Sequence, residues 1–379
     1  MITALTSTKS NFAGDLNIKI FNSGENAIFP VTSTIIYGEK DAILIDAQFQ
    51  KQYVLELIEE INALGKNLLV VYISHSDPDY YFGLDEIKKA FPNANIVSSA
   101  QTAYLISASK DQKFAIWEGQ LKSDAPTEVI TPQATSLLPD LEGNKIEIIT
   151  TKNDPAHSFL WISSSKTIIG GISVNLEGSH IWMADTNNVA AIDAWIAQLD
   201  KMKSLHPEKV IPSHFIYYND SPKSIDFTKQ YLVDYKNAAD SRSGAELAVE
   251  MEKKYPTFVG RDMLEMGAKV FKGELNWDLK SPYPAIGNKV EVNFGEISFV
   301  LNFVDNKQMS FEGQGGATDS VDYTATEIAK NIFMVYWHEP HVGDNVVHVQ
   351  DYNQSIVYTN IASRSGEFFH LKGTLKIVD

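Results

Sequence analysis

Residues 69–84 read LVVYISHSDPDYYFGL, an apolar run followed by one histidine and two aspartates at alternate positions. His75, Asp77 and Asp79 stand directly after what the apolar run predicts to be a buried strand. A loop leaving a strand end can turn alternate side chains toward one point, where three ligands could hold a divalent metal within reach of substrate. The alternative is a polar turn that caps the strand, because Asp-Pro-Asp is ordinary turn sequence. If this is a metal site, the rest of the chain must supply more ligands.

The composition restricts the chemistry that this chain can use. Its 379 residues are enough for two domains, and a hydrophobic fraction of 44% is typical of a soluble globular protein. The net charge of −16 argues against nucleic acid or an anionic membrane surface as the partner. The sequence contains no cysteine, which excludes disulfides, thiolate metal sites and a cysteine nucleophile. Any bound zinc or iron would therefore need His, Asp, Glu or, less usually, Tyr as ligands.

Targeting and membrane signals are not evident in the sequence. The opening residues, MITALTSTKSNFAGD, show no basic region followed by an apolar stretch. No run reaches the roughly 18 apolar residues that a membrane span requires. We therefore expect a cytoplasmic protein that acts on or binds a small molecule.

Segments with strand and helix patterns alternate over residues 1–220. Residues 50–64 carry apolar side chains at helical spacing and end at Gly65, a plausible C-cap. A strand over residues 68–74 and a helix over residues 84–91 follow. This rhythm indicates an α/β domain, and the repeat of a β-rich and then an α/β segment predicts two similar halves in an αββα sandwich.

The remainder of the chain divides into two further parts. Residues 221–275 are mostly helical in pattern and are interpreted as a connector. Residues 276–379 form short alternating segments at nearly regular spacing, which is typical of an antiparallel barrel or sandwich. We place the start of this second domain near residues 275–285.

Three histidines of the first domain lie beside predicted strands. His157 precedes one strand, His214 follows another, and His180 lies in the segment GSHIWMADT. A lone loop histidine is usually a surface or hydrogen-bonding residue, so each is a weak candidate ligand by itself. Their order along the chain carries more information than any one of them.

In that order, these segments resemble the metallo-β-lactamase superfamily of metal-dependent hydrolases over roughly residues 15–220. The motif of that superfamily, His-x-His-x-Asp-His after a strand, is similar to the run from His75 to Tyr80 here. His157 and His214 resemble the later histidine ligands, and Asp46 is similar to an aspartate that supports the metal-binding loop. The resemblance implies the αββα fold and a metal held at the strand ends.

Three positions depart from the pattern of the superfamily. Asp77 stands where a second histidine is usual, Tyr80 where another histidine is usual, and Gly171 where an aspartate normally bridges two metals. Glycine has no side chain, so the bridge is lost, whereas the carboxylate of Asp77 can still coordinate. With His75 and His157, it would form a two-histidine, one-carboxylate site suited to one divalent ion. Zinc is the first expectation, and iron is the alternative.

The resemblance also suggests roles for the neighbouring side chains. Asp79 would orient a metal-bound water or take its proton, and Tyr80 would hydrogen-bond to that water or line the cleft. His214 would either hold a second, weaker metal with Asp79 or stabilise a developing oxyanion. Asp46 would fix the loop from outside the ligand set.

Two further residues are candidates for substrate contact. His180 and Trp182 lie in the same short segment, and both could face a bound substrate. A structural histidine paired with Asp185 is an equal alternative for His180.

The second domain resembles MoaF-like domains, which are small antiparallel barrels of lipocalin-like character. The segments that carry this resemblance are GNKVEVNFGEISFVLNFVDNKQMSFEG, FMVYWHEP, VHVQDYNQSIVYTN and FFHLKGTL. Ligand binding, covering of the site and formation of a homodimer are three open roles for it. His338 and His341 are interpreted as solvated loop residues and receive no role.

The sequence therefore predicts a metal-dependent hydrolase of a small ester, lactone, amide or related bond, acting with a reduced ligand set. The alternative is a catalytically inactive ligand-binding protein on a degenerate hydrolase scaffold. A di-iron flavoprotein is disfavoured, since no Gly/Ser/Thr-rich phosphate loop follows a strand.

Overall fold

The computed structural model describes residues 14–151, 154–215, 217–277, 283–313 and 318–378, without the side chains of 154–156. The helices in these ranges are α1 Lys51–Leu64, α2 Pro78–Tyr81, α3 Leu84–Ala90, α4 Ala100–Leu121, α5 Val189–Ser204, α6 Lys223–Ala238, α7 Gly244–Lys254 and α8 Arg261–Phe271. In this part of the chain, no helix is both long enough and apolar enough to cross a membrane.

The strands in the described ranges form two sheets and a barrel. The first sheet contains, in order, β1 Asn17–Asn22, β2 Thr32–Tyr37, β3 Asp41–Ile45, β4 Asn67–Ile73, β5 Asn95–Ser98 and β6 Gln133–Ala134. The second sheet contains β7 Ile146–Thr151, β8 Asp154–Ile162, β9 Thr167–Ile169 and β10 Lys209–Ile211, in the order β10-β9-β8-β7. The strands of the closed barrel are β11 Lys289–Asn293, β12 Ser298–Phe303, β13 Gln308–Gly313, β14 Thr318–Ala329, β15 Ile332–Glu339, β16 Asp344–Asp351, β17 Ile356–Ala362 and β18 Phe368–Val378.

The two sheets pack face to face with helices outside, which confirms the predicted αββα sandwich. Successive side chains of a strand point to opposite faces, so a strand covered on both faces is apolar throughout. In β4, Val71 and Ile73 pack against α1, α3 and α4, whereas Val70 and Tyr72 face the second sheet. The apolar run before His75 is therefore a central strand with both faces covered.

Local sequence explains where the helix before β4 ends. Helix α1 stops at Gly65, which adopts φ 65° and donates its backbone N–H to the carbonyl of Asn62. Glycine reaches this left-handed conformation without a steric penalty, as the C-cap prediction requires. The chain then enters β4 at Asn67, and the strand ends at Ile73, directly before the loop of the candidate site.

Residues 167–174, TIIGGISV, have the apolar pattern of a strand, but the strand in the structure is shorter. Strand β9 ends at Ile169, and a 3₁₀ turn, Gly171–Ser173, follows it. Gly171 has φ 53°, a backbone conformation that residues with a side chain rarely adopt. The chain bends away from the sheet at this point, so the strand pattern of TIIGGISV extends beyond the strand itself.

Helices α6, α7 and α8 lie on the outer side of the second sheet, where α6 packs on α5, α7 on α6 and α8 on α7. Their buried side chains, such as Tyr231, Leu247 and Leu264, share one hydrophobic core with Phe159 and Val210 of that sheet. The segment interpreted as a connector thus contributes to the core of the first domain, while the domain limits at residues 220 and 275 stay a prediction.

The C-terminal strands form the closed antiparallel barrel that the alternating pattern predicts. Alternate residues of β15, including Phe333, Val335 and Trp337, point into its core. Helix α4 joins the barrel to the first domain, because Gln101 donates a hydrogen bond to the carbonyl of Ile286 at 3.2 Å and Tyr104 packs against the barrel core.

Candidate functional site

The site lies in the loop between β4 and α2. Asp46 fixes the start of this loop: its two carboxyl oxygens accept hydrogen bonds from the backbone N–H and the hydroxyl of Ser74, both at 2.8 Å. Asp46 is buried and has φ 63°. Burial raises its pKa to about 8, against the opposing effect of the two hydrogen bonds. Asp46 thus holds the residue directly before His75, while its role in supporting a metal-binding loop stays a prediction.

His75 and His157 face each other across the two sheets. Their rings are nearly parallel, with an interplanar angle of 6° and centroids 4.9 Å apart. The ring of His157 also stacks with the ring of Trp195, with centroids 5.8 Å apart. The amide of Gln198 donates to the carbonyl of His157 at 2.8 Å, which ties this part of β8 to α5. The structure therefore brings together the two histidines that the sequence places 82 positions apart.

Asp77 is engaged by a lysine that sequence reasoning did not select. The ammonium of Lys113, on α4, lies 2.9 Å from Oδ1 of Asp77 and 2.9 Å from the carbonyl oxygen of Ser76. On its other side, Oδ2 of Asp77 lies 3.4 Å from Nδ1 of His75. Burial opposes ionisation of Asp77, but Lys113 and His75 outweigh it and hold its pKa well below the usual range. Asp77 is thus a carboxylate with protein partners on both sides.

Asp79 and Tyr80 meet His214 at the opposite side of the loop. Nε2 of His214 lies 3.3 Å from Oδ2 of Asp79 and 3.1 Å from the hydroxyl of Tyr80. Burial, with a smaller effect from the Asp79 carboxylate, raises the pKa of Tyr80 well above its usual value. Tyr80 is therefore a neutral phenol that hydrogen-bonds with His214.

Gly171 lies beside Ser74, at the start of the loop. The sequence pattern predicts that Gly171 corresponds to the bridging aspartate of the superfamily. A Cβ atom at this residue would lie 3.1 Å from Oγ of Ser74 and 3.3 Å from the carbonyl oxygen of Ser158. The positive φ adds backbone strain for any side chain. Any residue with a side chain would therefore need Ser74 and Ser158 to shift slightly and would carry backbone strain at this position.

The donor set does not fit a metal as it stands. Among the residues that the structure describes, no three His, Asp or Glu side chains form a group that could hold an ion. Asp79 and His214 are two donors in reach of one point, but their third neighbour, Tyr80, is a protonated phenol and a poor ligand. Asp77 is turned to Lys113 instead. Asp77, predicted as a ligand from the family pattern, is thus held by an ion pair in this structure.

His180 and Trp182 lie toward the helical side of the domain. His180 is buried, its Nδ1 lies 2.9 Å from the hydroxyl of Tyr231, and burial lowers its pKa. Its described partner is therefore Tyr231 and not Asp185. Asp185 instead accepts hydrogen bonds from the indole N–H groups of Trp182 and, at 3.0 Å, Trp277. These contacts do not bring His180 to the histidines of the loop.

Sequence reasoning missed Lys113, Ser74 and Trp277 around the site. Ser74 adjoins His75, so its position in the motif was a usable signal. Lys113 lies 36 positions from Asp77, and Trp277 lies 92 positions from Asp185. Helical periodicity gives no reason to single out one lysine of α4, so only the tertiary packing could identify it.

Comparisons with known proteins agree with this architecture. Residues 27–214 match the family model of the metallo-beta-lactamase superfamily, and residues 286–376 match the MoaF-like model. The chain is 25% identical over 153 residues, 40% of its length, to the uncharacterized protein YobT of Bacillus subtilis (strain 168), and spans 65% of that relative.

The chain also shows similarity to two solved structures. A metallo-beta-lactamase family protein from Thermus thermophilus is 11% identical, with 68% of this chain and 92% of that chain covered and a TM-score of 0.48. A beta-lactamase domain protein from Burkholderia ambifaria is 12% identical, with 71% and 88% covered and a TM-score of 0.49. The resemblance of residues 27–214 to the superfamily rests on the family model and not on these distant structures.

Proposed function

Since residues 27–214 match the metallo-beta-lactamase superfamily and residues 286–376 match the MoaF-like family, we propose that this chain binds a small molecule in the hydrolase cleft without a catalytic metal. The ligand would contact the imidazoles of His75, His157 and His214 and the carboxylate of Asp79. Imidazoles and carboxylates together recognise a ligand that both accepts and donates hydrogen bonds. A small carboxylic acid or amide, the product class of a hydrolase, has that character.

The observation that carries this proposal is the pairing of Tyr80 with His214. A neutral phenol 3.1 Å from Nε2 offers a hydrogen bond where the superfamily has a further imidazole ligand. Gly171 supports the same conclusion, because a Cβ atom at this residue would crowd Ser74 and Ser158 and its positive φ would strain any side chain. Two of the altered positions are therefore adapted to their new residues, as expected for a site with a changed role.

Hydrolysis is the second candidate, and the retained residues favour it. Superfamily membership suggests a hydrolase. His75, Asp79, His157 and His214 all lie around one loop, with Asp79 and His214 3.3 Å apart. A divalent ion, zinc first and iron second, would have to be held by these four residues. The substrates would be small esters, lactones or amides. Such an ion would supply Lewis-acid chemistry, but the contacts above do not form its site.

A paired binding and turnover screen separates the two candidates. Chromogenic esters and lactones are tested for hydrolysis with and without a chelator, and small carboxylic acids and amides are tested for thermal stabilisation of the same protein. We expect no chelator-sensitive turnover, and stabilisation by some acids or amides that His214→Ala abolishes. Turnover that the chelator and His157→Ala both remove would overturn the binding proposal and support the hydrolase.

A further inference from the structure

Lys113, on α4, places a largely buried positive charge against the loop that contains Asp77. Its side chain keeps only 17% of its exposure, and that of Asp77 keeps 13%. Two of its ammonium hydrogens are directed at the carbonyl of Ser76 and the carboxylate of Asp77, both at 2.9 Å. A charged side chain is buried to this degree only when a partner compensates for the lost hydration. Asp77 and Lys113 are each such a partner for the other.

The surroundings of Lys113 are acidic. Burial disfavours its charged form, but the carboxylates of Asp77, Asp185 and Asp79 outweigh burial and raise the pKa of Lys113. Asp77 and Asp79 belong to the loop and Asp185 to the segment after β9, so these carboxylates come from two separate parts of the chain. Without a cation, they would repel one another across the cleft.

We infer that the ammonium of Lys113 replaces the divalent metal of the superfamily as the cation of this loop. It neutralises Asp77 and, by its charge and position, excludes a divalent ion from the carboxylate that took the place of a histidine ligand. Lys113 would thereby hold the loop in the conformation that a metal holds in related proteins. This inference rests on the proposed metal-free cleft and assigns the residue that makes the cleft metal-free.

Removal of the ammonium should create affinity for a divalent ion. Lys113→Met exposes Asp77, the Ser76 carbonyl and His75 to solvent cations, and an opposing charge no longer repels an ion at this position. Full-length protein is stripped of metal with a chelator, the chelator is removed, and zinc chloride is then titrated into the protein. The heat of binding and the melting temperature of the protein are recorded. We expect no saturable zinc binding by the wild type. Lys113→Met should bind about one equivalent of zinc, with an affinity about tenfold or more above any weak binding that the wild type shows.

The controls separate charge from loss of structure. Lys113→Arg keeps the positive charge and should bind no zinc. Lys110→Met removes a half-buried lysine of the same helix, whose partner is the exposed Asp111, and should match the wild type. The double variant Lys113→Met/Asp77→Asn removes both charges and should lose the gained site. Circular dichroism verifies that each variant is folded.

The outcomes distinguish the inference from the proposed function. Stoichiometric zinc binding by the wild type, lost in His75→Ala, would refute both. A wild type without zinc, together with a folded Lys113→Met variant that gains none, would refute the role of Lys113 alone.

Discussion

The ion pair of Lys113 and Asp77 should contribute more to stability than any exposed pair in the chain. Loss of one member of a buried ion pair costs about 3–5 kcal/mol, because the other charge stays buried without its partner. Both side chains retain some exposure, 17% and 13%, so we expect about 2–3 kcal/mol for Asp77→Asn. Lys113→Met should cost at least as much, since Asp77, Asp79 and Asp185 then face one another without a cation.

A double-mutant cycle measures the pair itself. The combination Lys113→Met/Asp77→Asn leaves no unpaired charge from the pair, so its cost should fall below the sum of the single variants by about 2 kcal/mol. Urea unfolding followed by tryptophan fluorescence is the assay. It reports mainly the first domain, because five of the six tryptophans precede residue 278.

An exposed pair provides the matched control for this cycle. Lys229 and Asp200 lie 2.6 Å apart with side-chain exposures of 36% and 52%. Exposed pairs couple by about 0–1 kcal/mol, so the same cycle at this pair should give a small value. A Lys113–Asp77 coupling energy as small as that of the control would refute the reasoning that burial makes the loop pair strong.

Three further variants test other parts of the site. The native state holds a proton on Asp46 up to about pH 8, whereas the unfolded chain releases it near its ordinary pKa of 3.8. The native state thus binds more protons between these values, so wild-type stability should fall as pH rises through this window. Asp46→Asn should flatten that fall in urea unfolding, and an unchanged slope would contradict it. Tyr80→Phe should cost about 1 kcal/mol through the lost contact with His214, and a cost near zero would argue against that hydrogen bond. Gly171→Ala should destabilise by about 1–2 kcal/mol because of its positive φ, whereas Gly119→Ala, in open space on α4, should stabilise by up to about 1 kcal/mol. Equal effects in thermal or urea unfolding would contradict the strain at Gly171.

The sequence predicts the frame of this site well, because the frame depends on local patterns. The apolar run and the Gly65 cap place β4, and the order of His75, His157 and His214 places three side chains around one loop, although His157 lies within β8 and does not precede it as predicted. The barrel follows in the same way from alternation along its strands. These features need no knowledge of which helix packs where.

The chemistry inside the frame was less predictable. Asp77 was expected to turn toward a metal, yet its partner is a lysine on α4, a helix whose packing decides the contact. His348 is a second case: it lies in β16, buried in the barrel, and burial lowers its pKa to about 3. Neither environment can be inferred from neighbouring residues, because both depend on contacts between segments distant in sequence.

Metal content tests the central claim most directly. Full-length protein is purified without added metal and without a metal-affinity tag, and zinc and iron are measured by elemental analysis beside His75→Ala. We predict less than about a tenth of an equivalent in both proteins. About one equivalent in the wild type, lost in His75→Ala, would contradict the claim that Lys113 and Tyr80 have replaced the metal chemistry of this cleft.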